Sequence, residues 1–542
     1  MNPFFLLTVA VAISMLVIPL AWRLAPRLGL VDMPDPRKVH SLPVPRVGGW
    51  GITIGSLVPL ALALTLDPLM QSFIIATVTL FLFGIWDDAR QINHWFKFAG
   101  QFIAVGVIVY YGDLYVARLP FFEGEVLSAA VGKPFTMVAM VGMINAMNHS
   151  DGLDGLAGGE TMLSLIAIAI LGYSVSDTLL VGVALATIGG ILGFLRFNSH
   201  PARVFMGDGG SQVLGLTLGF LAVYLTQRAG SAMSAALPLL LFGVPVADIL
   251  AVLYQRVTGG MNWFRATRNH AHHRLLDLGF SHYETVVIIY SLHAALVVTA
   301  LLLRYALDSI VAGVFAMAIA ALYAALFVAE RRHWQLGARG GRFSRLGAFI
   351  ARLNLERTLR AATLLLIAVL IPAFTLLAAL RVARVPPDFG LVAAALGAGL
   401  LIEMVLRRAA GPALLRAASY VTALFSAYLL IHFPVAQTTA DRQLAMGAII
   451  VLAAAIGLHI RVTTEDRFRT TPTDFLIVFG LLTLMVLGLI NVGSRDTVDL
   501  VIYATVLLYG SEVLIGQASR RRMVLWASTL VTLLVLALRA LG

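Results

Sequence analysis

Asp87, Asp88, Asp151, Asp154 and Asp208 are the residues of this chain best suited to do chemistry. They stand in IWDDAR, NAMNHSDGLDGLAGG and FMGDGGS, each at the end of an apolar run. Acids at a membrane boundary are costly to desolvate, so such residues usually bind or react. A pair such as Asp87-Asp88 can hold a divalent ion or take a proton; on its own it would read as a solvated helix end. Three acidic motifs at three separate segment ends suggest one composite site for a metal and phosphates. Two like charges about 4 Å apart repel by roughly 4 kcal/mol at an effective dielectric near 20. Phosphates placed among Asp87, Asp88 and Asp208 therefore call for a bound cation, with Lys97 close by.

Asn145, Asn148, Asp151 and Asp154 recur every third residue, a spacing that shares one face through a helix end. Glycines 152, 155, 158 and 159 let the backbone turn tightly beside a ligand. The DxDxDG ladder of an EF-hand is absent. FMGDGGS is expected to open a helix whose free N–H groups suit a phosphate oxygen, with Asn198, Pro201 and Arg203 just upstream. No Walker A sequence is present, so ATP hydrolysis is not indicated. RNHAHHRL holds Arg268, His270, His272 and His273. Zinc is one reading of this block and a polar loop another; recognition of an anion and a base by Arg and His is preferred.

Helices must position these motifs. The chain has 542 residues, 59% of them hydrophobic and 12% charged, with a mean hydropathy of +0.90. Soluble chains are nearer 25% charged. The expected class is all-α, a polytopic integral membrane protein. Apolar runs at 3–22, 48–66, 70–86, 98–111, 134–148, 159–174, 177–195, 211–227, 233–254, 284–303 and 308–329 give about eleven membrane helices. About seven more follow, one of them at 473–491. The domain reading is a membrane domain over 1–330, an arginine-rich cytoplasmic linker or interfacial helix over 331–360, and an additional helical domain over 361–542. The first run lacks a basic start and a cleavage site, so it reads as a retained helix.

Arg37 and Arg46, Arg90 and Lys97, Arg196 and Arg203, and Arg256 and Arg274 fall in alternate loops. The positive-inside rule puts those loops in the cytoplasm and the N-terminus outside. Every acidic motif then faces the cytoplasm. A transporter would set its acids near the bilayer midplane, whereas these sit at helix ends. The absence of cysteine excludes disulfides, thiol nucleophiles and cysteine metal sites. The net charge of +11 is accounted for by topology-setting arginines. No basic run is interleaved with aromatics, so nucleic acid is not an expected partner.

In order and spacing, WDD with Lys97 and Gln101, NAMNHSDGLDGLAGG, NSHPARVFMGDGGS and RNHAHHRL resemble the polyprenyl-phosphate N-acetylhexosamine-1-phosphate transferases. GLVDMPDPRKVHSLPVPRVGG, with Lys38 and His40, fits as well. The spaced HAHH is more similar to the bacterial undecaprenyl-phosphate GlcNAc-1-phosphate transferase branch than to the phospho-MurNAc-pentapeptide branch, which remains the alternative. The resemblance covers about residues 1–330 and implies an enzyme of the bacterial inner (plasma) membrane that initiates a lipid-linked cell-envelope glycan. Its implied substrates are undecaprenyl phosphate and a UDP-N-acetylhexosamine, its cofactor Mg²⁺ with Mn²⁺ as the alternative ion, and its surroundings membrane lipid, with a homodimer as a further expectation. Residue by residue, it implies Asp208, Asn148 and Asp88 as metal ligands, and Asp87 as the acid–base or lipid-phosphate-orienting group. Lys97 would meet the pyrophosphate, and Asp151 and Asp154 the nucleotide. Arg268, His270, His272 and His273 would bind the UDP-sugar, with Lys38, His40, Asn145 and Asn198 as further substrate contacts. Typical members end where residues 361–542 begin here.

Overall fold

The apolar runs fold as helices. The computed structural model describes residues 3–34, 42–121, 126–230, 232–260, 270–332, 356–405, 412–434, 439–462, 495–517 and 519–541. Among these it is all-α apart from one small ribbon, and it divides into two units. The first unit is residues 1–337 with 471–480; the second is 338–470 with 481–542.

The first unit contains α1 (Pro3–Leu28), α2 (Gly48–Ala63), α3 (Pro68–Arg90), α4 (His94–Gly106), α5 (Ala129–Ser150), α6 (Leu156–Ser174), α7 (Thr178–Asn198) and α8 (Asp208–Tyr224). It continues with α9 (Leu237–Leu241), α10 (Gly243–Thr258), α11 (Ala271–Asp277), α12 (His282–Leu302) and α13 (Asp308–Arg331). Of these α1, α3, α5, α6, α7, α8, α12 and α13 are long and apolar enough to cross a membrane, and α2 is a shorter apolar helix. Two expected spans are less regular. The one at 98–111 is α4 running into a π turn at Val107–Tyr111. The one at 233–254 breaks at Phe242 into α9 and α10.

Local chemistry sets the helix starts. Asp67 accepts the N–H of Met70 ahead of Pro68, Asp177 accepts that of Leu180, and Ser281 with Glu284 forms a capping box on α12. Each occupies backbone donors that a helix start leaves open.

Helix α8 is the centre of this unit. Every residue from Gly209 to Val223 is buried, and α2, α3, α5 and α6 pack around it. Its glycines let neighbouring backbones approach. A methyl group on Gly215 would lie 2.6 Å from the Ile144 backbone of α5. Small residues of this kind are how helices associate where lipid removes the hydrophobic drive.

The ribbon fixes the height at which α8 begins. Strand β1 (Val31–Asp32) pairs antiparallel with β2 (Val44–Pro45). The chain after β2 then runs parallel to the FMGD segment, bridged at Arg46 and Phe205. Phe205 donates to Pro45, Gly48 to Phe205 and Gly49 to Met206, at 2.8–2.9 Å. Arg46 forms an ion pair with Asp32 across the ribbon.

The second unit contains α14 (Glu356–Arg381), α15 (Pro387–Val405), α16 (Pro412–His432), α17 (Thr439–Val462), α18 (Arg495–Ile515) and α19 (Ser519–Leu541), each with a stretch apolar enough to cross a membrane. Arg416 and Tyr420 of α16 both bond the carboxylate of Glu512 in α18, at 2.5 and 2.8 Å. A cavity of about 560 Å³ lies among α14, α16, α17 and α18, with Arg381, Asp441, Arg442, Asp496 and Asp499 among its lining residues. The expected span at 473–491 and most of the expected basic linker, 333–355, lie outside the described residues.

Candidate active site

The first turn of α8 is built around Asp88. Its carboxylate accepts the N–H of Asp208 at 3.0 Å and of Gly209 at 3.1 Å. It is 8% exposed. This corrects the expectation that those N–H groups face a phosphate, because a carboxylate from α3 already occupies them. The preference is physical: a fixed anion at a helix N-terminus meets both the open donors and the positive end of the dipole. Gly207 makes the approach feasible. Its φ of 72° suits glycine, and a Cβ there would stand 2.5 Å from Asp88 Oδ2. The same start is pressed against two glycines of other helices. A Cβ on Gly84 would lie 2.4 Å from Gly209 Cα, and one on Gly49 would lie 2.4 Å from the Gly210 nitrogen.

Asp208 is thereby delivered beside Asp87. Lys97, at the start of α4, bridges them: its Nζ pairs with Asp87 and lies 3.0 Å from Asp208 Oδ2. The two carboxylates also come within hydrogen-bonding range of each other, and Asn148 reaches Asp208 as well. Asp87 Oδ1 accepts the Ile92 N–H at 2.9 Å, folding the α3–α4 turn back on itself. Asn148 donates to Ser211 at 2.9 Å. Asn145 donates to Gln101, which donates to Gln212. Three helices, α3, α4 and α8, thus meet α5 through one polar network.

The shared face expected for Asn145, Asn148, Asp151 and Asp154 ends with Asn148. Helix α5 stops at Ser150 and Asp151 is its C-cap, so the two acids leave on a turn instead of continuing the helix. Asp151 is half-buried. Burial, then repulsion from Asp208 and Asp154, pushes its pKa up to about 7, with Arg46 opposing. Asp154 turns to the next loop, where His200 Nδ1 is 2.7 Å and the Ala202 N–H 3.0 Å from its Oδ2. Asn198 is buried and holds both loops: its side chain accepts from Gly155 N–H at 2.7 Å and donates to the Val204 carbonyl at 2.9 Å.

The histidine block opens a short helix. His270 is the N-cap residue of α11. Its Nδ1 lies 2.6 Å from Asp248 Oδ2, and Asp248 Oδ1 accepts the Ala271 N–H at 2.8 Å. Both side chains are buried. Sequence reading missed Asp248; the available signal was a lone acid in the apolar run GVPVADILAVL. Replacing Asp248 with Ala leaves His270 and the Ala271 N–H without their acceptor, each a loss of about 1–3 kcal/mol. The melting temperature in detergent should fall by several degrees; an unchanged melt would remove this anchoring role.

His272 is 3% exposed, and a Cβ on Gly152 of the DGLDG turn would meet its Nε2 at 2.3 Å. Burial, then the neighbouring His273, lowers its pKa to about 3, against the pull of Asp248. It is therefore neutral at cellular pH and suits a base or hydroxyl better than an anion. His149 and His270 stack with ring centroids 5.3 Å apart, which brings the histidine block to the end of α5. Lys38, His40 and Arg268 lie outside the described residues.

The fold and site define a polytopic helical membrane protein that gathers carboxylates and a lysine at the start of one central helix, with a histidine block packed against the end of α5. Its sequence matches the glycosyl transferase family 4 pattern over residues 70–226. It is 32% identical over 306 residues to a protein of Bacillus subtilis (strain 168) named "Probable undecaprenyl-phosphate N-acetylglucosaminyl 1-phosphate transferase", covering 55% of this chain and 86% of that protein. It is 34% identical over 301 residues to the decaprenyl-phosphate N-acetylglucosaminephosphotransferase of Mycobacterium tuberculosis (strain ATCC 25618 / H37Rv), covering 49% and 74%. A third relative, the undecaprenyl-phosphate alpha-N-acetylglucosaminyl 1-phosphate transferase of Haemophilus influenzae, is 32% identical over 273 residues, covering 49% and 77%. The chain belongs to this family, the polyprenyl-phosphate N-acetylhexosamine-1-phosphate transferases of glycosyl transferase family 4.

Proposed function

We propose that the protein transfers an N-acetylhexosamine 1-phosphate from a UDP-sugar to undecaprenyl phosphate, releasing UMP, at a site facing the cytoplasm. The observation that carries this reading is Lys97 bridging Asp87 and Asp208. One cation and two carboxylates from three helices form a setting for phosphoryl transfer. The lipid phosphate oxygen bonds to the sugar-linked phosphorus as the bond from that phosphorus to the UMP oxygen breaks. The bonding pair leaves with UMP. One phosphoanhydride replaces another, so no further energy source is needed.

The donor set fits a hard divalent cation. Asp87 and Asp208 crowd two carboxylates together, and Asn148 adds an amide beside Asp208. Oxygen ligands of this kind suit Mg²⁺ or Mn²⁺. Asp208 and Asn148 would hold the ion, with Asp87 the nearest further carboxylate. Asp88, with both oxygens already accepting backbone N–H groups, is better assigned to anchoring α8 than to ligation. When bound, the ion supplies charge neutralisation for phosphates crowded against carboxylates.

Lys97 would orient the pyrophosphate. Lipid phosphate is ionised near neutral pH, so Asp87 need not remove a proton from it; its part would be to hold Lys97 and orient the lipid phosphate. Asp151, Asp154, His270 and His272 would meet the nucleotide. Replacing His272 with Ala is expected to raise the KM for the UDP-sugar about tenfold or more, with little change in the KM for lipid. That follows from losing one buried hydrogen-bonding ring worth about 1.5 kcal/mol. An unchanged KM would remove the nucleotide role from this histidine.

The deciding assay is release of radiolabelled UMP from UDP-GlcNAc in detergent, with undecaprenyl phosphate and Mg²⁺ each supplied or withheld. Release that requires both supports the transfer. A panel of UDP-hexosamines run alongside identifies the sugar. No release with any of them would overturn the reading.

A further inference from the structure

Asp154, His200 and His282 come from three separate segments: the turn after α5, the turn after α7 and the first residue of α12. One ligand atom from each lies within 4.8 Å of the others. His200 Nδ1 is 2.7 Å from Asp154 Oδ2, and His282 Nε2 is 3.3 Å from the Asp154 carbonyl oxygen. The two imidazoles stack, with centroids 4.1 Å apart and planes 20° from parallel. His282 Nδ1 is also buried and has no hydrogen-bond partner. Unpaired polar atoms of this sort often mark an unrecorded water or ion.

We propose that Asp154, His200 and His282 form a binding site for a borderline transition-metal ion, Zn²⁺ above all, separate from the oxygen-lined site at Asp87 and Asp208. Two imidazoles and one carboxylate are a zinc-type donor set, whereas Mg²⁺ prefers oxygens alone. Zinc–ligand bonds of about 2.0–2.2 Å set tetrahedral ligand atoms roughly 3.2–3.6 Å apart. The three ligand atoms, all within 4.8 Å of one another, would close to that size as the stacked rings open from their near-parallel planes and the Asp154–His200 hydrogen bond gives way to a shared ion. The Ala202 N–H, 3.0 Å from Asp154 Oδ2, then orients the carboxylate from behind. His200 is exposed, which leaves a coordination position open to water and gives the ion a way in. The ion would pin the DGLDG turn to the NSHPA turn and to the start of α12.

The test is direct metal binding to the full-length protein, purified in detergent without a polyhistidine tag. The protein is stripped with chelator, re-equilibrated with ZnCl₂ and desalted, and bound metal is counted by mass spectrometry. One equivalent of zinc is expected in the wild type and in His432→Ala, a histidine of the second unit. His200→Ala and His282→Ala should each lose it, with at least tenfold weaker affinity in competition with a chromogenic chelator. Should either alanine variant fail to give monodisperse protein, His200→Gln and His282→Gln decide, since they keep an amide of similar reach. Substoichiometric zinc in the wild type overturns the proposal. So does zinc retained at full affinity in both variants, which would leave the three residues as a hydrogen-bonded clamp only. The readout is binding, independent of any transferase activity.

Discussion

Asp208→Asn should abolish UMP release, by about a thousandfold or more, while expression and melting temperature stay near wild type. The loss is electrostatic. Asp208 contributes one of the two carboxylates that Lys97 bridges, and it is reached by Asn148 and Gln212 as well. An amide preserves the shape and most of these hydrogen bonds but removes the charge that a divalent cation needs. A thousandfold corresponds to about 4 kcal/mol of lost transition-state stabilisation. The fold should survive, because the start of α8 is held by the Asp208 backbone and not by its side chain. Normal UMP release from this variant would sink the assignment of Asp208.

Gly84→Ala should be nearly as damaging for a different reason. The new methyl would stand 2.4 Å from Gly209 Cα and 2.6 Å from the Gly209 nitrogen. Those atoms are backbone, so no side chain can swing aside. Helix α8 must shift away from α3, and overpacking of this kind costs about 1–3 kcal/mol. The shift also draws the Asp208 and Gly209 N–H groups off Asp88 and separates Asp208 from Asp87. Activity is expected to fall at least a hundredfold with a melting temperature lowered by only a few degrees. Misplacement of reacting groups by about 1 Å is enough for such a loss. Full activity would show that the α3–α8 contact tolerates a methyl and does not set the site.

Much of this arrangement was legible in the residues. Asp87, Lys97 and Asp208 each close or open an apolar run, and span parity put them on one side. What the sequence could not reveal was which groups pair. Asp88 and Asp208 are both acids, and nothing in their spacing says that one would bind the backbone of the other. That contact depends on glycines at 84, 207 and 209 meeting in space. Asp248 and His270 are likewise partnered only by the approach of α10 to α11. The helix face drawn through Asn145, Asn148, Asp151 and Asp154 failed beyond Asn148 because periodicity carries no stop signal, whereas the glycine-rich turn does. The broken span at Phe242 was hidden by uninterrupted hydrophobicity, which measures burial and not helical continuity.

The carboxylate that closes the start of α8 is supplied from 120 residues earlier in the chain. At about 5–20 residues per second of synthesis, roughly 6–24 s separate the appearance of Asp88 from that of its partners. During that interval α4, α5, α6 and α7 are made. Helix α8 is therefore made after α2, α3, α5 and α6, the helices that pack around it, and before α10 and α12, which close on α5 and α6. The order of biogenesis is written into the geometry: a ribosome stalled before Asp208 would leave the earlier helices inserted but the centre of the site unbuilt.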